Sequence, residues 1–376
     1  DGTPGSSLTG TTVQTVTEGG NCTAVTANAP AGWHFTKWTN GVADYSTNNP
    51  LTVTNVTTNL TLTANFAEDA PAMLLAYEGF DYAPSPGAPQ PLTGLAGQNG
   101  GIGFSGAWGQ WSLDAGVEVT GLTYSKGGVP LQVSGKSVYT QLGVPTWQFD
   151  ELGRNLDLSA VPESLKAPDG KLGKVGTTLW FSFLARLSNN PAHQTTPPSG
   201  IGWWAGFKPT LTAGWFGRNA NRYVWGIEFP VANSTVPLAY DETVFLVQKV
   251  EYTAGGAITS LWVNPTPAVN GGVTQPVEPA DILEFTENAY TFNYIVFSSS
   301  CEGHFDEFRL GTTYHDVAPG AVAVVRFETD GTLGASLSGA TVQTVTLGED
   351  CTPVTANAPG GWHFVKWTKD GSDYAT

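Results

Sequence analysis

The chain has 376 residues, with 32 Asp plus Glu against 16 Lys plus Arg, a formal net charge of −16. A surface this acidic repels nucleic acid and anionic lipid, and no basic cluster offsets it, which argues against either as a partner. The 46 glycines and 25 prolines suit short strands and frequent turns, and no apolar run is long enough to cross a bilayer as a helix.

Taken in chain order, residues 1–71 alternate apolar and polar side chains. Thr12–Val16, Thr23–Ala27, Trp33–Trp38 and Leu60–Phe66 read as strands, with turn signals at Pro30-Ala31-Gly32 and Asn48-Asn49-Pro50. Glu68-Asp69-Ala70-Pro71 reads as a linker. The stretch from 72 to 319 holds most of the aromatic residues. Its β-rich runs are Thr178–Ala185, Val244–Val250, Ser260–Val263 and Tyr294–Phe297, and one helical turn is expected near Pro162–Leu165. Asn189–Gly200 and Asn264–Pro279 read as long surface loops. Strands separated by turn clusters over this length point to a two-sheet sandwich or jelly roll. From 320 to 376 a small module begins again, opened by a strand over Val322–Phe327.

That last module is a repeat. Residues 330–376 align without a gap on residues 1–47 at a constant offset of 329, with 32 of the 47 positions identical. Cys22 falls on Cys351, Trp33 on Trp362, Trp38 on Trp367 and Tyr45 on Tyr374. A fixed long period is the mark of an array. The first copy starts at the equivalent of Asp330 and lacks the opening strand, while the second stops before the equivalents of Asn48–Phe66. The expectation is a window of one period plus an overlap in a longer tandem protein, or modules completed by a neighbouring chain.

The terminal copies resemble the divergent InlB B-type bacterial repeat, through Gly32-Trp33-His34-Phe35-Thr36-Lys37-Trp38 and Leu60-Thr61-Leu62-Thr63-Ala64-Asn65-Phe66. That resemblance implies a small β-grasp-like module used as a spacer or adhesin unit in bacterial surface proteins. The middle resembles the LamG-like (concanavalin A-like) jelly-roll modules of large Planctomycetes and Verrucomicrobia proteins. The residues that carry it are Tyr77-Glu78-Gly79-Phe80-Asp81-Tyr82, Gly106-Ala107-Trp108, Leu179–Phe183, Leu261–Pro265 and Phe305–Gly311. This fold hosts lectins, glycosidases and inert modules alike, so it specifies architecture more than activity.

Candidate chemistry is sparse. Gly101-Ile102-Gly103-Phe104-Ser105-Gly106 matches G-x-G-x-x-G without the βαβ context that a dinucleotide site needs, and reads as a loop. A glycosidase needs two convergent carboxylates, and Asp150-Glu151 and Asp306-Glu307 are adjacent pairs expected on opposite strand faces. His34, His193, His304, His315 and His363 show no metal-ligand spacing, and the chain is not expected to be an enzyme. Jelly-roll modules often hold a structural calcium ion between their first and last strands, and Glu78, Asp81 and Asp306 are the candidate oxygen ligands. Trp204, Trp215 and Tyr223 are the candidate platform for a glycan, against a default role in the core. Cys301 is expected to bond to Cys351, leaving Cys22 to a preceding unit, against the alternative of three free thiols.

The combined expectation is an all-β chain, a jelly roll flanked by two incomplete repeat modules. Its function would be a structural or adhesive segment of an extracellular, cell-surface tandem protein or fibre whose partners are neighbouring copies of itself. A carbohydrate-binding array is the alternative.

Overall fold

The computed structural model describes residues 1–30, 33–68, 73–82, 93–111, 115–118, 120–140, 150–189, 205–209, 214–218, 224–228, 232–269, 274–346, 350–369 and 372–375. The chain is almost entirely β and divides into two compact units, Asp1–Pro71 and Ala72–Thr376.

In the first unit, Trp33–Asn40 is the central strand of a three-stranded antiparallel sheet, between Ala43–Ser46 and Leu62–Glu68. A register shift between Phe35 and Lys37 breaks the simple alternation of this strand. It lets Phe35 and Trp38, three residues apart, pack with ring centroids 5.7 Å apart. Trp38 is 3% exposed in a core with Ala27, Leu51 and Ala64, flanked by Val25, Phe35, Val53, Leu62 and Phe66. Its indole N–H donates to the Asn48 carbonyl at 3.0 Å, which satisfies the polar end of a buried ring. The Asn49 amide acts as a strand partner for Ala27, accepting from its N–H at 2.8 Å and donating to its carbonyl at 2.7 Å.

The second unit is a sandwich of two antiparallel sheets. One sheet runs in the order Ile282–Glu287, Gly256–Val263, Val244–Thr253, Thr178–Leu187, Gly303–Gly311, Ser137–Thr140, Gly116–Glu118, Thr93–Gly94. Leu74–Glu78 pairs with the second half of Gly303–Gly311, beside the stretch that Ser137–Thr140 occupies. The other sheet runs Ala232–Pro237, Val224–Glu228, Trp215–Arg218, Ala205–Lys208, Tyr294–Ser299, Asp150–Leu156, Phe104–Gln110. Phe181 and Phe183 of the first sheet meet Phe207 and Phe216 of the second, with centroid separations from 4.9 to 6.0 Å. These strands lie between partners and covered faces, which is why they read as long apolar runs. The far side of the first sheet is capped by a second cluster of Trp180, Leu184, Phe245, Val247 and Trp262. Over it lie Leu122, Leu131 and the one-turn helix Tyr314–Val317, whose Thr313 and Asp316 form a capping box.

Most sequence-derived strands are present, and the turn expected near Pro162–Leu165 is a 3₁₀ turn over Glu163–Leu165. The Gly101–Gly106 run leads into the Phe104–Gln110 strand and no helix follows, so it has none of a dinucleotide site's structure. Much of the loop expected at Asn189–Gly200 lies outside the described residues.

Thr12–Val16 departs from expectation, since it forms no strand and leaves Val13 87% exposed. Across its repeat equivalent, 341–345, the strand Val342–Thr346 does form, paired with Val322–Arg326. In both copies a glutamine holds the segment to the chain nine residues on. Gln14 accepts from the Thr23 N–H at 2.7 Å, and Gln343 accepts from the Thr352 N–H at 2.7 Å. The hairpin Ser7–Thr9/Thr26–Asn28 likewise recurs as Ser336–Ser338/Thr355–Asn357. Trp362 and Phe364, equivalent to Trp33 and Phe35, are 66% and 40% exposed. The strand that pairs with Trp33–Asn40 in the first unit, Leu62–Glu68, has no counterpart within these residues.

Candidate functional site

The three carboxylates expected to bind calcium do not form a cation site. Glu78 is 1% exposed on the Leu74–Glu78 strand. Its Oε2 accepts from Arg154 Nη1 at 2.8 Å, from Trp108 Nε1 at 3.0 Å and from the Tyr82 hydroxyl, and its Oε1 accepts from the Phe80 N–H at 2.9 Å. Arg154 also donates through Nε to the Gly106 carbonyl at 2.8 Å and through Nη2 to Asn99 Oδ1 at 2.6 Å. This is a closed network in which both charges are paired and hydrogen-bonded. Asp306, also buried, accepts from the Leu122 and Glu307 N–H groups, each at 2.8 Å. Burial and the neighbouring Glu307 push its carboxyl well above the usual range, against the pull of those amides and of Arg309. Asp81 is exposed, 3.4 Å from Lys136 Nζ. Among the described residues no group of three or more His, Cys, Asp or Glu could hold a metal ion. A hard cation needs several free oxygens, and these three residues do not fit one.

Asp306 and Glu307 also do not follow simple alternation. Glu307 adopts φ 56°, beside a register shift in the pairing with Thr178–Leu187, and both residues are fully buried. Glu307 accepts from Ser134 N–H, from the Tyr77 hydroxyl at 3.1 Å and from Arg309 Nη2 at 2.8 Å. This carboxylate is a junction that ties the first and last strands together.

Of the aromatic residues expected to stack on a glycan, Trp204 and Tyr223 lie outside the described residues. Trp215 is 2% exposed and therefore cannot offer a ring face to a ligand. Trp111 of the sandwich does stand half exposed, edge-on to Tyr294 at 6.1 Å and laid over Gly153. A Cβ at Gly153 would lie 2.7 Å from its ring.

The expected Cys301–Cys351 bond is not formed, and all three cysteines are free thiols. Cys301 is sealed between the Tyr294–Ser299 and Gly303–Gly311 strands, its Sγ accepting from Arg218 Nη1 at 3.2 Å. Burial raises this thiol's pKa, opposed by the guanidinium. Cys301 is fully buried, whereas Cys22 and Cys351 are half-buried.

A cavity of about 310 Å³ opens on the same side of the first sheet as the capping cluster, lined by Glu118, Thr120, Gly121, Leu122, Arg186 and His304. Strand order builds it. His304 pairs with Tyr139 on one side and Arg186 on the other, and Glu118 pairs with Ser137 on the strand beyond. His304 Nδ1 lies 3.3 Å from Glu118 Oε2 and 3.5 Å from Ser137 Oγ, and the ring packs on Tyr139 with centroids 5.2 Å apart. Ser137 donates to the Thr120 carbonyl at 2.7 Å, so it is held as a support. Burial lowers the imidazole pKa, with Glu118 and Glu302 opposing and Arg186 adding to the fall, which leaves the ring neutral at pH 7. Serine and carboxylate meet the same ring nitrogen, so the group is not wired as a nucleophile–base–orienter relay. No sequence pattern marks Glu118 or Arg186, and His304 shows no metal-ligand spacing. Nothing in the chain order marks three residues this far apart as neighbours.

Residues 2–70 and 326–376 match the divergent InlB B-repeat domain family. No curated protein matches the chain. Among solved structures it is similar to a protein of unknown function from Shewanella oneidensis, at 9% identity and TM-score 0.29, over 66% of this chain and 89% of that one. It is also similar to domain 4 of an extracellular arabinanase from Geobacillus stearothermophilus bound to arabinotriose. That match has 12% identity and TM-score 0.27, over 66% of this chain and 98% of that one. A sialidase from Trypanosoma rangeli is similar at 9% identity and TM-score 0.28, over 60% of this chain and 32% of that one.

Proposed function

We propose that this chain is a structural and adhesive segment of a long bacterial surface protein, in which small repeat modules alternate with larger sandwich modules. The observation that carries this reading is the recurrence of one 47-residue sequence at an offset of 329, with both copies matching the same repeat family. Both also close the same short hairpin. The first repeat module and the sandwich each bury a core of their own, and the mechanism is mechanical, with stability adding over modules and their junctions. Spacing and rigidity are the product, not turnover. The surface location follows from the family's usual setting, and the acidic, lysine-poor composition agrees with it.

The test is to express chains of one, two and three periods and to measure their maximum dimension by small-angle X-ray scattering. The reading expects a constant increment per added period and filaments under the electron microscope. Collapse of longer chains to compact particles would overturn it.

A further inference from the structure

The cavity beside His304 has a size and a chemistry that the mechanical role does not use. At about 310 Å³ it lies at the small end of ligand pockets, large enough for one or two sugar rings. No ion pair or hydrogen bond joins the exposed Arg186 side chain to a described residue, and its guanidinium is a planar fork of N–H donors. Glu118 engages His304 through Oε2, while no described residue engages its other oxygen. The charges that line the cavity are one carboxylate and one guanidinium beside a neutral imidazole, which sum to zero and favour neither an anion nor a cation. Guanidinium donors and a carboxylate acceptor lining one cavity complement neighbouring hydroxyl groups, each of which donates once and accepts twice. Leu122 supplies an apolar wall for a C–H face.

We propose that this cavity binds a neutral, hydroxyl-rich ligand, a saccharide of one or two rings, gripped by Arg186 and Glu118 with His304 holding Glu118 in place. The proposal goes beyond the mechanical reading, which stands or falls on the scattering series whether or not the cavity is filled. It also places a ligand on the other sheet of the sandwich from Trp215.

The experiment uses the ¹⁵N-labelled chain titrated with glucose, galactose, mannose, arabinose and lactose, with glucuronate and glucosamine as charged controls. The expected result is saturable movement of the Gly121 and Leu122 amide signals with at least one neutral sugar. Arg186→Ala and Glu118→Gln should each weaken that sugar at least about tenfold, as loss of a hydrogen bond to a charged group does. Arg186→Lys, which keeps the charge and loses the fork, should weaken it similarly. Trp111→Ala should leave binding unchanged. Arg186 is exposed, so its variants keep the fold, which circular dichroism checks. No saturable shift with any neutral sugar, binding that survives both substitutions, or tighter binding of glucuronate or glucosamine would each overturn the proposal.

Discussion

Glu78 and Arg154 form an ion pair of 2.8 Å in which both side chains are 1% exposed, joining the Leu74–Glu78 strand to the opposite sheet of the sandwich. Removing one partner leaves the other charge buried and unpaired. Arg154→Ala or Glu78→Ala should each destabilise the second unit by about 3–5 kcal/mol. A double replacement by apolar residues of similar volume should cost less than the sum of the two. Urea unfolding of the four proteins measures this, and additive losses would show that the pair is not coupled.

The same network bears on calcium. Because Glu78 and Asp306 already accept from protein donors, millimolar calcium or a chelator should leave the midpoint of thermal unfolding in place. A calcium-dependent rise lost on Asp306→Asn would contradict this reading.

Trp215 is a core residue by burial, so Trp215→Ala should cost about 3–5 kcal/mol of stability. Circular dichroism melting of the variant should show the loss directly. An unaltered melting curve would place the ring outside the core.

Cys301 should resist alkylation in the native state and react only after unfolding, because its thiol is buried and its pKa raised. Cys22 and Cys351, both half-buried, should react first. Peptide mass spectrometry without reductant checks this, and a peptide linking Cys301 to Cys351 would refute it.

Two groups set opposite slopes of stability with pH. His304 has a folded pKa lowered from 6.5, chiefly by burial, among Glu118, Arg186, Glu302 and Ser137. The unfolded chain therefore takes up its proton first, so this contribution is full above pH 6.5 and is lost as the pH falls below it. Asp306 has a folded pKa raised above 3.8, so its contribution is full below pH 3.8 and is lost as the pH rises through the folded value. His304→Gln should flatten the slope just below pH 6.5, and Asp306→Asn the slope above pH 3.8. Denaturant midpoints across pH read both effects.

Much of the fold was legible because it rests on local pattern. Thr178–Leu187 and Val244–Thr253 carry long apolar, β-branched and aromatic runs that suit nothing but buried strands. The candidate site was not legible. Glu118, Arg186 and His304 become neighbours only through the order of strands in one sheet, which no local pattern encodes. Glu78 and Asp306 lie on the first and last strands as expected, whereas Asp81 lies past the end of Leu74–Glu78; the partners are not legible in sequence, Arg154 being 76 residues from Glu78.

The hexapeptide Thr-Val-Gln-Thr-Val-Thr marks the boundary between the two kinds of information. It occurs at 12–17 and again at 341–346, identical in all six residues. By itself the sequence determined the repeat, its period and a composition that favours extended backbone. The tertiary structure decided which copy is a strand. Val342–Thr346 pairs with Val322–Arg326, whereas no described strand pairs with 13–17, where Val13 is 87% exposed. An extended segment makes its backbone hydrogen bonds only with a neighbour, so β propensity proposes a strand and the partner creates it.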